Sequence, residues 1–481
     1  MNTTYNYVDG VCGSGKTYTA IRKIAERVNA GESVIYATET VKLLNQTMEG
    51  LKGLDIPCDL VVADEKVSWR KSYQSVASEI VSAIEYSDEE PSVILCTTKS
   101  LIVAASNIPD DRRLSLYIDE GFEVAGHGEI NCTTEGEPQG LAYLLGLTKE
   151  KPDNFVDENQ ASSDERLKLI KQAIANDVID VTPQISPSKL QWIASLDLKA
   201  FASKFSDITL LAACHEDTIQ FHAISASGCK QICLDWGLAN SHTTDGMVYV
   251  FWVYENAEWR TTKIRNIADR EMNSIRIAFE LEHWSENYLS VKGMGGAGKP
   301  MSVKSHGFNH LSESPHLIDL HAQMPYPILS QFYKENYKLS DSQIRTACYH
   351  YDRYQAALRT SLRKSTVANP STEDNYYCFG DKSTAMYFIS KLAKSVTVEA
   401  YKLKVDLECD TSERKTPKHK VSNSKAQEAA RSRDRKKFKE LSPNMPRIEE
   451  ALNSTRDWRV ENPGKRVTKD IYMEKVEEFG E

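Results

Sequence analysis

The chain has 481 residues, too many for a single hydrophobic core, and its 41% hydrophobic and 26% charged residues are ordinary for a soluble globular protein. A net charge of -9 excludes a uniformly basic nucleic-acid-binding protein. No apolar run approaches the roughly 18 to 20 residues of a membrane span, and the first residues, MNTTYNYVDG, do not resemble a secretory signal, so we expect an intracellular, cytoplasmic protein without a membrane partner.

The N-terminal half of the chain predicts strands that alternate with helices. The sequence TYNYVDG predicts a strand, VCGSGKT a glycine-rich loop and YTAIRKIAERVNAG a helix. A second strand, SVIYAT, is followed by the helix VKLLNQTMEGL. Short apolar runs predict four more strands, at residues 59–64, 92–98, 114–119 and 208–214. Such alternation is typical of a parallel α/β sheet with ligand sites at the carboxyl ends of its strands, and we expect a first lobe over residues 1–240.

Three further regions follow from the composition. Residues 126–187 are polar and break the rhythm of the first lobe, which predicts an insertion of helices and loops. A second α/β lobe is expected over residues 241–407, from the strand GMVYVFWVY to VEAYKLKVDL. Residues 408–481 are expected to form a linker and a basic C-terminal region, since residues 411–440 hold eleven Lys or Arg against four Asp or Glu.

Residues 10–17, GVCGSGKT, match the phosphate-binding pattern G-x-x-x-x-G-K-[ST] in full. Glycines let such a loop curl so that its backbone N–H groups point at phosphate oxygens, and the following helix adds the positive end of its dipole. The lysine reaches the β- and γ-phosphates, and the hydroxyl ligates Mg²⁺. We therefore expect ATP and Mg²⁺ as ligands, with ATP bound by Gly10, Cys12, Gly13, Ser14, Gly15, Lys16 and Thr17.

A second glycine-rich segment, GMGGAGKP at residues 293–300, almost repeats this pattern. Pro300 stands where the metal-binding hydroxyl belongs and removes a backbone donor, and the flanking sequence does not predict a strand before it and a helix after it. We therefore expect a surface loop here rather than a second phosphate site.

An acidic pair ends the strand predicted at residues 114–119. The sequence LSLYIDEGFE places Asp119 and Glu120 at the carboxyl end of an apolar strand, where carboxylates without partners are strongly unfavourable. Taken alone, the pair fits an ordinary strand-to-turn boundary. With a phosphate loop about a hundred residues upstream, we expect Thr17 and Asp119 to hold Mg²⁺ and Glu120 to orient or deprotonate the attacking water.

Together with residues downstream, these motifs resemble those of the superfamily-2 helicases, DEAD/DEAH-like, of phage or plasmid type. The resemblance implies two RecA-like lobes with ATP bound between them. Residues 355–363, QAALRTSLR, are similar to motif VI of that family. Gln355, Arg359 and Arg363 are spaced i, i+4 and i+8, so one helix face would present all three as catalytic groups, with the arginines directed at the γ-phosphate. An ordinary basic helix face on the surface is the alternative.

The resemblance also implies contacts to single-stranded nucleic acid, with DNA favoured over RNA, mainly through its phosphates. Residues 37–40 are similar to motif Ia, residues 96–100 to the next backbone-contacting motif, and residues 305–311 to motif V. The expected nucleic-acid contacts are Thr38, Thr40, Thr98, Lys99 and Asn309. The basic residues 431–439 are expected either to tether nucleic acid or to form a solvated helix, and replication or recombination proteins are further expected partners.

The chain departs from the helicase pattern at several positions. Phe122 stands where the family has His or Asp after the acidic pair, and Leu358 stands where motif VI has Gly. Two segments, residues 212–214 and 225–227, compete as the motif that couples the lobes. These departures leave ATP binding better supported than strand separation.

The expected function is an ATP-dependent nucleic-acid helicase or translocase that acts on DNA, in the cytoplasm of a host cell if the chain is phage-encoded. A packaging ATPase of the phage large-terminase type is one alternative, although that enzyme needs a carboxylate-rich nuclease domain that the C-terminal half does not suggest. A nucleotide-switched binding protein without motor activity is the other.

Overall fold

The structure is a computed structural model, which describes residues 3–62, 73–87, 90–111, 113–132, 137–149, 167–255, 275, 288–291, 299–301, 314–321, 324–365, 370–403, 434–438, 440–442, 447–461 and 469–479. The chain divides into two compact units, Met1–Leu407 and Glu408–Glu481. None of the helices in these ranges has the length and apolar character that crossing a bilayer requires.

The first sheet of the larger unit is built from the N-terminal half of the chain. Its strands are β1 (Thr4–Val8), β2 (Val34–Thr38), β3 (Cys58–Val61), β4 (Val93–Thr97), β5 (Ser115–Asp119), β9 (Ile208–Leu211) and β10 (Lys230–Cys233). They are all parallel, in the order β10-β1-β9-β5-β2-β4-β3. The residues of β2 and β5 are all buried, as expected for central strands covered on both faces. The six strands predicted for this sheet are present, and β10 is additional.

Helices cover this sheet and fill the segment inserted into it. They are α1 (Lys16–Asn29), α2 (Val41–Lys52), α3 (Tyr73–Tyr86), α4 (Thr98–Ala105), α5 (Glu137–Leu144), α6 (Lys168–Ile174), α7 (Leu198–Ser203) and α8 (Ile219–Ala226). The buried residues of α1 recur at helical spacing, so one face packs on the sheet; they are Ala20, Ile21, Ile24, Ala25 and Val28. The α2 helix starts at Thr40, whose hydroxyl caps it by accepting from the N–H of Leu43.

The inserted segment contains helices, as predicted, and also a three-stranded antiparallel sheet that the prediction of helices and loops lacks. The strands are β6 (Ala125–Asn131), β7 (Ile179–Ser186) and β8 (Lys189–Leu196), in the order β6-β8-β7. The two glycines of β6 suggest a loop in the sequence, but Gly128 lies opposite Trp192, where a Cβ would come 2.1 Å from the indole ring. The glycine is therefore explained by close packing within a strand.

The second sheet of the larger unit contains six parallel strands within the described residues. They are β11 (Val248–Tyr254), β12 (Tyr288–Val291), β13 (Lys299–Met301), β14 (His316–Asp319), β15 (Asn375–Asp381) and β16 (Val398–Lys402), in the order β13-β12-β14-β15-β11-β16. The helices here are α9 (Pro327–Asn336), α10 (Asp341–Arg345), α11 (Tyr351–Ala357) and α12 (Lys382–Ser390). A π-helical turn at Thr346–His350 joins α10 to α11. With two parallel sheets in one α/β unit, the predicted fold class of two RecA-like lobes is confirmed.

The second glycine-rich segment leads into a strand. Residues 293–298 lie outside the described residues, but Lys299 and Pro300 belong to β13, which pairs with β12. The expectation of a surface loop is therefore wrong for these two residues. Since no helix begins at Lys299, this lysine lacks the helix dipole that assists a phosphate loop.

The described residues of the smaller unit are mainly helical and include part of the basic stretch. This unit contains α13 (Ile448–Glu461), α14 (Lys469–Phe479) and a helical stretch at residues 434–438. Phe438 is fully buried against Ala451 and Leu452, and the hydroxyl of Tyr472 donates to Asp434 over 2.6 Å. Residues 434–438 are thus packed rather than fully solvated, whereas residues 431–433 lie outside the described residues.

Candidate functional site

The phosphate loop follows β1 and curls around its own lysine. Gly13 and Gly15 have φ angles of +78° and +91°, the left-handed region that favours glycine. Lys16 opens α1 and donates from Nζ to the carbonyl oxygens of Gly10 and Val11, over 2.8 and 2.9 Å. The lysine ammonium therefore lies inside the loop, where a phosphate can replace the two carbonyls as its partner.

The acidic pair lies beside the start of α1, where the sequence predicted it. Asp119 is the last residue of β5, and its Oδ2 accepts from Thr17 Oγ1 over 2.6 Å and from the hydroxyl of Tyr36 over 2.7 Å. Burial first and the neighbouring Glu120 second raise the pKa of Asp119, whereas hydrogen bonds from Thr17 and Tyr36 oppose that rise. Glu120 has a φ of +66°, which turns the chain sharply after the strand.

The position of Phe122 explains one departure from the helicase pattern. Its side chain is 1% exposed and stacks on Phe201, with 6.1 Å between ring centroids. Because the position faces the core of the first sheet, an apolar residue fits it better than His or Asp.

The three residues of the motif VI segment reach the same cavity, but they do not share a helix face. The α11 helix ends at Ala357, Leu358 leaves the helical region with a ψ of +21°, and a short 3-10 helix covers Ser361–Lys364. The i, i+4, i+8 prediction is therefore wrong about the element. Gln355 lies on α11, Arg359 follows it and Arg363 lies on the 3-10 turn.

Two arginines from the lobe that contains the second sheet contact the acidic pair and the phosphate loop. Arg359 is 2% exposed, and its Nη2 lies 3.7 Å from Oε1 of Glu120. Burial and then the nearby Arg363 lower the pKa of Arg359, while Glu120 opposes the change. Arg363 packs on the phosphate loop so closely that a Cβ on Gly13 would lie 2.8 Å from its Cγ.

These groups line one cavity of about 490 Å³. Its lining residues are Cys12, Gly13, Gly15, Lys16, Thr17, Tyr18, Leu43, Gln46, Thr47, Asp119, Glu120, Leu211, Ala213, Gln355, Arg359 and Arg363. Three cationic side chains can neutralise a polyphosphate, and the hydroxyl of Thr17 with the carboxylate of Asp119 is the oxygen donor set that Mg²⁺ prefers. The residues present therefore fit both a triphosphate and Mg²⁺.

Further contacts to the phosphate loop were not indicated by the sequence. The N–H of Val11 donates to the carbonyl of Ala239 over 3.0 Å, and the N–H of Cys12 donates to the hydroxyl of Tyr354 over 3.4 Å. The same hydroxyl lies 3.1 Å from Nε2 of His242. No motif marks a tyrosine in mid-helix or a carbonyl in a connecting segment, so only the folded chain reveals these partners.

The two candidates for the coupling motif have different positions. Ala213 follows β9 and lines the cavity, and Asp217, four residues later, accepts from Tyr387 over 2.8 Å and from Lys391 over 2.6 Å on the side of the second sheet. Residues 225–227 instead lie at the end of α8, and none of them is among the lining residues. The segment after β9 therefore has the contacts that a coupling element needs.

The predicted nucleic-acid contacts differ in accessibility. Thr38 is fully buried at the end of β2 and Thr98 is 6% exposed, so neither side chain is available to a surface ligand. Thr40 is half-buried and caps α2, whereas Lys99 is exposed. Asn309 lies outside the described residues. The prediction of direct contacts is thus wrong for the side chains of Thr38 and Thr98, because both hydroxyls lie inside the fold.

Comparison with known proteins gives structural similarity without a sequence match. No protein-family model and no curated protein matches the chain. Similar solved structures include XPD_APO, which is 10% identical, covers 83% of this chain and 97% of its own, and has a TM-score of 0.47. S. tokodaii Xpd4 is 11% identical, covers 82% of this chain and 96% of its own, and has a TM-score of 0.46. S. cerevisiae Dbp5 bound to RNA and ADP BeF3 is 11% identical, covers 83% of this chain and 86% of its own, and has a TM-score of 0.35. Likeness at these values carries no argument about activity, so function is inferred from the residues of the chain itself.

Proposed function

We propose that the chain is an ATP-dependent nucleic-acid helicase or translocase, acting on DNA, that hydrolyses ATP between its two parallel sheets. One observation carries the proposal. Lysine, hydroxyl and carboxylates from the first sheet and arginines from the second line the same cavity, with Arg359 3.7 Å from Glu120. A site shared by two lobes changes whenever they move relative to each other, which a motor requires.

Hydrolysis at this site divides among the residues as follows. Lys16 leaves the carbonyls of Gly10 and Val11 and binds the β- and γ-phosphates. Thr17 and Asp119 hold Mg²⁺, which neutralises phosphate charge when bound. Glu120 orients and deprotonates the attacking water.

The arginines stabilise charge on the γ-phosphate as the bond breaks. Arg359 pairs with Glu120, and both line the cavity, so this carboxylate holds the guanidinium where it can reach a bound phosphate. When the phosphate takes over the guanidinium, Glu120 is released for the water. The effect of such an arginine is roughly 10³- to 10⁵-fold in rate in related phosphoryl-transfer chemistry.

Coupling to nucleic acid is supported by contacts that join the loop after β9 to the second sheet. Asp217 binds both Tyr387 and Lys391, so movement at the cavity reaches α12. Thr40, which is half-buried, and Lys99, which is exposed, lie on the first sheet's carboxyl side and provide phosphate contacts there.

The test is the steady-state rate of ATP hydrolysis measured with single- and double-stranded DNA and RNA of equal length. We expect Mg²⁺-dependent hydrolysis that single-stranded nucleic acid, DNA more than RNA, stimulates at least several-fold and that high salt suppresses. If no polynucleotide changes the rate of hydrolysis, the motor hypothesis is rejected and the nucleotide-switched binding protein is favoured. Hydrolysis stimulated by double-stranded DNA alone, with DNA cleavage, would favour the terminase alternative.

A further inference from the structure

An exposed aromatic side chain stands next to the phosphate loop. Tyr18, on the first turn of α1, is 60% exposed although it lines the cavity of the nucleotide motifs. The guanidinium carbon of Arg22 lies 4.5 Å from the centroid of its ring, and Arg22 Nη2 also donates to its hydroxyl. The arginine therefore braces one face of the ring and leaves the other face open to a ligand.

The structure restricts where a nucleoside can leave the phosphate loop. The start of the loop is covered, because the N–H of Val11 donates a hydrogen bond to Ala239 and the N–H of Cys12 donates one to Tyr354. The middle is covered by Arg363, which lies against Gly13.

The end of the loop is open by contrast. Apart from Gly15 itself and its immediate chain neighbours, no heavy atom of the described chain lies within 4 Å of the position that a Cβ on Gly15 would occupy. A nucleoside whose phosphates lie on the loop can therefore pass over Gly15, and Tyr18, three residues further along the chain, lines the same cavity.

The far wall of the same opening comes from α2. Leu43 is buried and Gln46 is exposed, and both line the cavity together with Tyr18. Leucine offers an apolar edge and glutamine an amide that can donate or accept. This wall supports a flat ring without imposing one hydrogen-bonding pattern.

We propose that Tyr18 is the nucleobase platform of this site, a specificity residue that stacks the base of a nucleoside triphosphate on its open face. The inference rests on the proposed function and adds its substrate selectivity. Because stacking reads a π-face rather than a hydrogen-bonding edge, the site takes ATP and GTP with similar affinity and binds the smaller pyrimidine rings of CTP and UTP less tightly.

The experiment compares MgATP with inorganic tripolyphosphate, which has the phosphates but no base. Binding of each is measured calorimetrically to the wild type, to Tyr18→Ala and to Tyr18→Phe. We expect Tyr18→Ala to weaken ATP binding by about 5- to 100-fold, in line with the loss of one base–aromatic stack, and to leave tripolyphosphate binding unchanged. Tyr18→Phe keeps the ring and should bind ATP within about twofold of the wild type.

Tyr86→Ala is the matched control, since Tyr86 is 68% exposed on α3 and is not among the lining residues. It should bind ATP as the wild type does. Unchanged ATP binding in Tyr18→Ala, or equal weakening of ATP and tripolyphosphate, would overturn the platform while leaving the phosphate site intact. If the wild type binds neither ligand, the proposed function fails as well.

Discussion

The hydroxyl of Tyr36 donates a hydrogen bond over 2.7 Å to the carboxylate oxygen of Asp119 that also accepts from Thr17. Tyr36 is fully buried in β2, the strand that pairs with β5. Burial raises the pKa of Asp119, and the tyrosine hydroxyl acts against this rise by stabilising the ionised form. Tyr36 therefore helps to keep the carboxylate charged and turned toward Thr17.

Tyr36→Phe should make ATP hydrolysis fail at a higher pH than in the wild type when the solution is acidified. Without the tyrosine hydroxyl, the pKa of Asp119 rises further, and a protonated carboxyl cannot hold Mg²⁺. Activity is lost as the pH falls through this pKa, so the acid limb of the pH–rate profile moves to higher pH in the variant. The measurement is kcat against pH at saturating ATP and Mg²⁺.

Tyr5→Phe is the control for this change. Tyr5 is equally buried in β1 of the same sheet, and its hydroxyl donates over 2.7 Å to the carbonyl of Leu198, away from the acidic pair. Each variant should lose stability on the order of 1 to 3 kcal/mol, the range for a lost buried hydrogen bond. The acid limb should move in Tyr36→Phe alone, and an equal movement in both variants would contradict the role given to Tyr36.

Gly13→Ala should abolish nucleotide binding beyond its effect on folding. Gly13 combines a φ of +78° with a close approach, since the new Cβ would lie 2.8 Å from Cγ of Arg363. Gly31→Ala is the matched change, because Gly31 has a φ of +89° and, apart from its chain neighbours, no atom of the described chain lies within 4 Å of its new Cβ. Backbone strain should lower the free energy of unfolding of both variants by about 1 to 2 kcal/mol, measured by urea unfolding. Only Gly13→Ala should lose ATP hydrolysis. If Gly13→Ala still hydrolysed ATP, Arg363 could not pack on the phosphate loop as closely as described.

A buried ion pair in the second lobe should be sensitive to the loss of either partner. Arg353 Nη1 donates to both carboxylate oxygens of Asp319, over 3.0 and 2.9 Å, and both side chains are inaccessible. Arg353→Met leaves a buried carboxylate uncompensated and should lower the free energy of unfolding by about 3 to 5 kcal/mol. The double variant Arg353→Met with Asp319→Leu should recover most of that stability. Urea unfolding measures both.

An exposed ion pair provides the comparison. Lys189 lies 3.1 Å from Glu129 with both side chains more than a third exposed, so Lys189→Met should leave the unfolding midpoint unchanged. A double variant at positions 319 and 353 that is no more stable than Arg353→Met would show that the pair is not an isolated unit.

Acid should destabilise the protein partly through His215. This side chain is 1% exposed, and burial lowers its pKa from 6.5 to about 4. The unfolded chain therefore binds a proton between pH 6.5 and 4 that the folded chain does not, so stability falls with decreasing pH in this window by up to about 1.4 kcal/mol per pH unit from this group. His215→Gln, which cannot titrate, should show a correspondingly smaller slope in urea unfolding. Equal slopes would show that His215 titrates alike in both states.

The strands and the phosphate loop could be predicted because local sequence determines them. Apolar runs such as VIYAT and SLYID fix buried strands, and GSGKT fixes a loop that must curl and then start a helix. Asp119 could be predicted from two motifs together, because an acidic pair at the end of a buried strand needs a partner and the phosphate loop upstream implies Mg²⁺ as that partner.

Other features depend on packing that is distant in sequence. The break of α11 at Leu358 lies in a segment, AALRTSLR, whose residues are compatible with a continuous helix. Spacing alone therefore predicts one face for three residues that lie on α11, in the turn after it and on the 3-10 helix. The antiparallel sheet of the insertion could not be predicted, because the polar composition of residues 126–187 favours loops and Gly128 is explained only by Trp192 on the strand opposite it. Tyr36 and Tyr354 contact the site only through pairing of separate elements.

The most direct test of a shared ATP site uses Arg359→Ala, which removes a guanidinium 3.7 Å from Glu120 and leaves the sequence of the phosphate loop unchanged. Exposed Arg113 gives the matched control, Arg113→Ala. With saturating single-stranded DNA, kcat for ATP should fall by about 10³- to 10⁵-fold in Arg359→Ala and stay unchanged in Arg113→Ala, while both still bind MgATP. Hydrolysis by Arg359→Ala within about twofold of the wild-type rate would contradict catalysis by the second lobe.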